Sequence, residues 1–260
     1  MTTTTLTDTG TGGGPGALTR ILNVARLHLV NKATIIVVPW AIMAFIFLVN
    51  YLIWWILAAS LSPADMADAR DGLQFSGASF YIFVYMLVVA VQAINLTFPF
   101  AQGYSVTRRD FYLGSALTFV ALSAVYALVI TVLGALERLT DGWGLGGRMF
   151  APAYFGDGNA LEAFYLTFMI FLFFFIIGAA TATVYLRWRA NGMLAFFACL
   201  ILTLILVGLV ALATLSGSWP LVGQWFATTG IVGVISWTIV PTVLAGIAGF
   251  FILRKATPRN

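Results

Sequence analysis

The sequence predicts an all-helical membrane protein, an all-α fold with six transmembrane helices behind one interfacial amphipathic helix. Three observations lead there. Of 260 residues 61% are hydrophobic and only 8% are charged, too few charges to cover a water-facing surface. Mean hydropathy is +1.00. Runs of 20 or more nearly uncharged residues recur, each long enough to cross about 30 Å of hydrocarbon.

The elements follow in chain order. Residues 1–16, with Thr2 to Thr5 and Gly12 to Gly14, read as a flexible polar tail without the basic and apolar regions of a signal peptide. Over 17–33, Leu18, Ile21, Leu22, Ala25 and Leu29 recur at helical spacing, with Arg20, Asn23, Arg26 and Asn31 mostly elsewhere on the wheel. This predicts an amphipathic helix lying in the membrane interface or packed on the rest of the protein. A transmembrane domain over 34–253 then divides into spans at 34–59, 79–102, 114–136, 161–186, 193–215 and 229–253, before a short tail at 254–260.

An even number of spans puts both termini on one side, and basic residues choose the side. Arg20, Arg26, Lys32, Arg108, Arg109, Arg187, Arg189, Arg254, Lys255 and Arg259 fall in the tails and in the loops after spans two and four. Only Arg70, Arg138 and Arg148 fall in the other loops, which instead hold Asp65, Asp68, Asp71, Glu137, Asp141, Asp157 and Glu162. Lys and Arg in short loops stay cytoplasmic, so both termini are expected there. The net charge of +4 then lies beside anionic headgroups and speaks for membrane lipid, not nucleic acid, as its partner.

Several chemistries lose support. Apart from Glu162 at the outer edge of the fourth, no predicted span contains Asp, Glu, Lys or Arg, whereas ion-coupled transporters use ionisable residues within the membrane. A phosphate-binding loop needs Gly-Lys followed by Ser or Thr, and the lysines here are Lys32 after Asn31 and Lys255 after Arg254. Lone His28 and lone Cys199 assemble no metal site or redox pair, and there is no Gly-x-Ser-x-Gly elbow. No catalytic, cofactor or metal residues are expected.

What remains is polar side chains within a span and one charged turn. Tyr85, Gln92 and Asn95 lie near one face of span two, where carboxamides need partners that lipid does not offer. They are candidates either for a substrate path or for hydrogen bonds between helices. Between spans two and three, Gln102-Gly-Tyr-Ser-Val-Thr-Arg-Arg-Asp-Phe-Tyr-Leu-Gly114 makes a short turn. Ser105 or Thr107 can cap a helix, Arg108 and Arg109 present charge, and Phe111 offers an apolar plug. Such a knob suits a partner protein or simply marks orientation.

With its amphipathic first helix, six spans and Gly-x-x-x-[Ser/Thr]-Arg-Arg-x-aromatic turn, the chain resembles, over residues 17–255, the type-2 permease subunits of ATP-binding-cassette exporters. The resemblance implies alternating access in a plasma membrane of bacterial type, driven by two separate ATPase subunits that bind the ATP. It implies a second permease, a copy or a homologue, as partner. It assigns contact with the ATPase to Ser105, Thr107, Arg108, Arg109, Asp110 and Phe111. It also implies short re-entrant segments before the last span, matched by the Pro220-interrupted stretch 218–226. The Gly- and aromatic-rich loop at 137–160 departs from small members of that family. A reading from another class is a non-transporting scaffold or sensor whose outward loop binds a ligand.

Overall fold

A computed structural model of the chain describes residues 16–156, 158–215 and 217–256. Most of the expected amino-terminal tail, with Asp8, Asp157 and Arg259, lies outside them. The described residues are helical and include no strand.

Helix α1 (Ala17–His28) is followed by a π-helical turn at Ala33–Val37 that leads into α2 (Val38–Ser60). Helix α3 (Pro63–Leu73), α4 (Tyr81–Gly103) and α5 (Arg108–Leu139) come next, then α6 (Ala160–Leu215), α7 (Trp219–Ser236) and α8 (Ile239–Arg254). Five helical segments are long and apolar enough to cross a membrane: Ala33–Ser60, Pro63–Gly103, Arg108–Leu139, Ala160–Leu215 and Trp219–Arg254. The protein is thus of the multi-pass membrane type.

Several boundaries differ from the sequence expectation. The fourth and fifth predicted spans are one 56-residue helical segment, α6, in which Arg189 alone takes a non-helical conformation (φ 56°, ψ −149°). The polar stretch Arg187-Trp-Arg-Ala-Asn191 therefore breaks the helix axis without opening a loop. The last predicted span is divided at Gly230 (φ 66°, ψ 171°) and again between α7 and α8, and 218–226 is largely helical from Trp219 onward. Helix α3 had no counterpart in the spans. It starts at a cap readable in the sequence: Ser62 Oγ accepts from Asp65 N (3.2 Å), with Pro63 in the first turn.

The core lies where α4, α5 and the first half of α6 meet. Phe83, Phe98, Phe111, Phe119, Phe171 and Phe175 are all buried there, and Phe119 stacks on Phe175 with ring centroids 5.2 Å apart. Lipid tails are as apolar as these side chains, so close fit rather than water exclusion holds such helices together. Gly178 shows the fit: a Cβ there would sit 2.4 Å from the Leu87 carbonyl oxygen. Past Arg189 the chain leaves this core, with most side chains between residues 194 and 228 exposed, until Leu253 and Ala256 return to it.

The amphipathic helix α1 contacts α5 through a face other than its regular apolar stripe. Arg20, Val24 and His28, spaced four apart on one face, are turned toward α5. Arg20 Nε pairs with Asp110 Oδ2 at 2.7 Å, and His28 Nε2 lies 2.7 Å from Ser115 Oγ. Val24 seats on Gly114, whose added Cβ would fall 2.6 Å from Val24 Cβ and 2.7 Å from the Ile21 carbonyl oxygen. Leu18, Leu22 and Leu29 are left exposed on an adjacent stripe. The helix ends at His28, five residues before the expected boundary.

Candidate functional site

The turn joining α4 to α5 is built by two end motifs back to back. At the end of α4, Ser105 adopts the left-handed region (φ 57°). Its N–H donates to the Gln102 carbonyl (3.0 Å) and that of Val106 to the Ala101 carbonyl (3.0 Å). This is the Schellman pattern, with serine where glycine is usual. One residue after Val106, Thr107 caps α5, its Oγ1 accepting from Asp110 N at 3.1 Å. No separate helix is interposed.

The turn joins both ends of the chain. Asp110 is buried and holds Arg20 of α1. Arg108 Nη1 donates to the Arg254 carbonyl at 2.6 Å, satisfying an end carbonyl of α8. Phe111 is fully buried, edge-on to Phe98 (5.2 Å) and tilted against His28 (5.7 Å). In this structure the side chains of Phe111 and Asp110, both named above for a partner contact, are taken up by contacts within the chain. Thr107 is taken up in capping and Arg108 in holding α8. Arg109 and Ser105 are exposed, together with Tyr104, which is 81% exposed and was missed by the sequence reading. Its signal was its place at the helix end, since an aromatic there has no helix to pack against.

The three polar residues of span two are separated. Tyr85 OH donates to the Thr34 carbonyl at 3.0 Å, beside Tyr81 on the Pro39 carbonyl and Tyr126 on the Ile35 carbonyl. The Thr34 and Ile35 carbonyls lie in the π-helical turn and that of Pro39 just beyond it, and such pairing helps that irregular backbone to be tolerated. Gln92 is exposed and lines a crevice of about 330 Å³ between α4 and the segment 27–35. Asn95, about 60° further round the helix, is turned away from it, and its buried Oδ1 has no hydrogen-bond partner among the described residues.

On the opposite end of the molecule, Glu137 is a site that the sequence reading passed over as a loop acid. Its side chain is wholly buried. The carboxylate accepts from Trp143 Nε1 (3.1 Å) and from the backbone N–H groups of Met149 (2.8 Å), Phe150 (2.9 Å) and Ala151 (2.8 Å). Around it Asp141, Gly142, Trp143 and Gly144 run consecutively at positive φ, a left-handed turn that L-residues other than glycine enter at a cost. Arg148 N and Ala153 N then donate to the Leu73 and Gln74 carbonyls, tying this loop to α3 as one cap.

These features define the class as an all-helical, multi-pass membrane protein with a tied turn at one end and an ordered cap at the other. Comparison with protein-family models, curated proteins and solved structures found no match.

Proposed function

We propose that the chain is the permease subunit of an ATP-binding-cassette exporter, working by alternating access with two separate ATPase subunits and a second permease. The observation that carries the reading is the 104–107 turn. It exposes Tyr104, Ser105 and Arg109 while Asp110 and Arg108 fasten it to α1 and α8. A push on such a turn is delivered to the first and last helices together, as a mechanically coupled subunit requires. Segment α6 would be about 84 Å long if straight, nearly three bilayer thicknesses, so we take it as two crossings meeting at Arg189. That makes six crossings, with both termini, the turn and Arg189 on the cytoplasmic side of a bacterial-type plasma membrane by the distribution of basic residues.

The test is co-purification of an ATP-hydrolysing subunit and its substrate-stimulated activity, at matched expression. Aromatic and Arg anchors often contribute at least about 2 kcal/mol to an interface, so Tyr104→Ala and Arg109→Glu should each strip the partner. Phe111→Ala, by contrast, should lower thermal stability of the isolated chain, because it opens a cavity in the core at a cost of roughly 3 kcal/mol. Wild-type association in both Tyr104→Ala and Arg109→Glu would remove the permease reading. The ordered Glu137 cap supports a second reading, a sensor whose outward loop binds a ligand. Recovery of a non-ATPase partner in the same experiment would favour it.

A further inference from the structure

The crevice between α4 and the segment 27–35 is mostly apolar, but His28, Asn31, Thr34, Gln92 and Thr97 are among its lining residues. We infer that it binds a neutral, hydroxyl-bearing amphiphile that arrives through the lipid, and, resting on the permease reading, that this is the class of the exported substrate.

The size and position come first. The crevice holds about 330 Å³, within the range of small-molecule sites. Gln92 lies about 16 Å along α4 from its end at Gly103, about half the hydrocarbon thickness. The crevice runs from there toward Asn31 at the start of the first span. Its opening therefore faces hydrocarbon, and a ligand reaching it must dissolve in lipid. Its back wall is preformed, because the tyrosine hydroxyls on the Thr34 and Ile35 carbonyls hold the π-helical turn in place. Such turns inside helices often mark functional sites.

The hydrogen-bonding capacity comes second. Ser115 Oγ donates its proton to the Phe111 carbonyl (2.8 Å), so it accepts from His28 Nε2 at 2.7 Å. The imidazole thus carries its proton on Nε2, and Nδ1 is a bare acceptor. Within hydrogen-bonding range of Nδ1 lies Thr97 Oγ1 at 3.4 Å, whose own proton is directed to the Ala93 carbonyl. His28, 4% exposed, and Thr97 both line the crevice, and with both protons directed elsewhere their long 3.4 Å contact offers acceptors to an entering hydroxyl. Gln92 makes no hydrogen bond to any described residue, and its amide is exposed at the crevice. A hydroxyl of the ligand can donate to the His28–Thr97 pair and accept from the Gln92 amide, giving each polar group the partner that hydrocarbon withholds.

Charge comes third. None of the lining residues is Asp, Glu, Lys or Arg, and burial pushes the His28 imidazole down to about 4, so it is neutral at physiological pH. An ionic headgroup would be desolvated there without a counter-charge. The occupant is accordingly uncharged at its head, in the manner of a monoacylglycerol, and its chain lies along the aliphatic and aromatic remainder of the wall.

The experiment uses the full chain in nanodiscs of zwitterionic lipid with two photoactivatable probes of equal chain length, a diazirine monoacylglycerol and a diazirine alkyl sulfate. Adducts are mapped by mass spectrometry. The monoacylglycerol should label residues 27–35 and 89–100, about tenfold more than the sulfate does. Ala93→Phe, which fills the crevice, and Gln92→Leu, which removes the amide, should both reduce labelling. Leu202→Phe, at an exposed position on α6, should not. Equal labelling by both probes, or labelling undiminished in Ala93→Phe that elutes as folded protein, overturns the site. Site labelling without any associated ATPase leaves the binding inference standing and removes only the permease reading. Loss of labelling with the ATPase retained does the reverse.

Discussion

Two buried polar side chains, Glu137 and His28, show how single residues hold this molecule in shape. Glu137 gathers four N–H donors on one carboxylate, and charge-assisted bonds of this kind are about twice as strong as neutral ones. Glu137→Gln keeps the shape but turns an NH₂ group toward N–H donors. We expect a loss of about 2–3 kcal/mol, read as a lower melting temperature and faster trypsin cleavage after Arg148. His28 predicts a pH effect. Its imidazole is held at about 4 against a usual 6.5 because burial disfavours the charged form. The unfolded chain then binds the extra proton between those values, so this contribution is complete above pH 6.5 and is lost as pH falls toward 4. At pH 5 the loss is about 2 kcal/mol. Melting curves at pH 7.5 and 5 should differ more for the wild type than for His28→Gln, and equal shifts would disprove the assignment.

Helix α1 illustrates what decides an element's orientation. Its most regular apolar stripe, Leu18, Leu22, Ala25 and Leu29, predicts a buried face, yet Arg20, Val24 and His28 make the protein contact. In a bilayer the stripe can rest on acyl chains at no loss. A close seat on Gly114, an ion pair and a histidine hydrogen bond can be satisfied only by protein. Gly114→Val should therefore lift α1, since backbone at the Ile21 carbonyl cannot yield as a flexible side chain would. Trypsin cleavage after Arg26 in the purified protein should accelerate about tenfold, equivalent to about 1.4 kcal/mol of detachment. Unchanged cleavage would mean that the Arg20–Asp110 pair and the His28–Ser115 hydrogen bond hold the helix without the Gly114 seat.

For the whole molecule, orientation rests on charge asymmetry, which acts during insertion and needs no contact between helices. In a Cys199→Ser background, an impermeant thiol reagent added to intact cells should label cysteine at Gly156 and spare cysteine at Thr107. The opposite result would invert the topology. The break at Arg189 makes a related demand, since cysteine at Asn191 should be protected along with Thr107.

The membrane class and the apolar segments were legible because each depends on composition and spacing within a stretch of chain. Thr107 as a cap was legible for the same reason, as its partner is three residues away. The packing of Phe111 was not legible, because nothing local distinguishes an aromatic that plugs a partner from one that plugs its own core. That choice was made by Phe98 and His28, 13 and 83 residues earlier in the chain. Glu137 looked like one more loop acid until the backbone of 149–151 folded over it. Contacts between residues far apart in sequence select one arrangement among many that satisfy the same hydrophobic pattern. They turned α1 onto Gly114 and left Gln92 facing an open crevice.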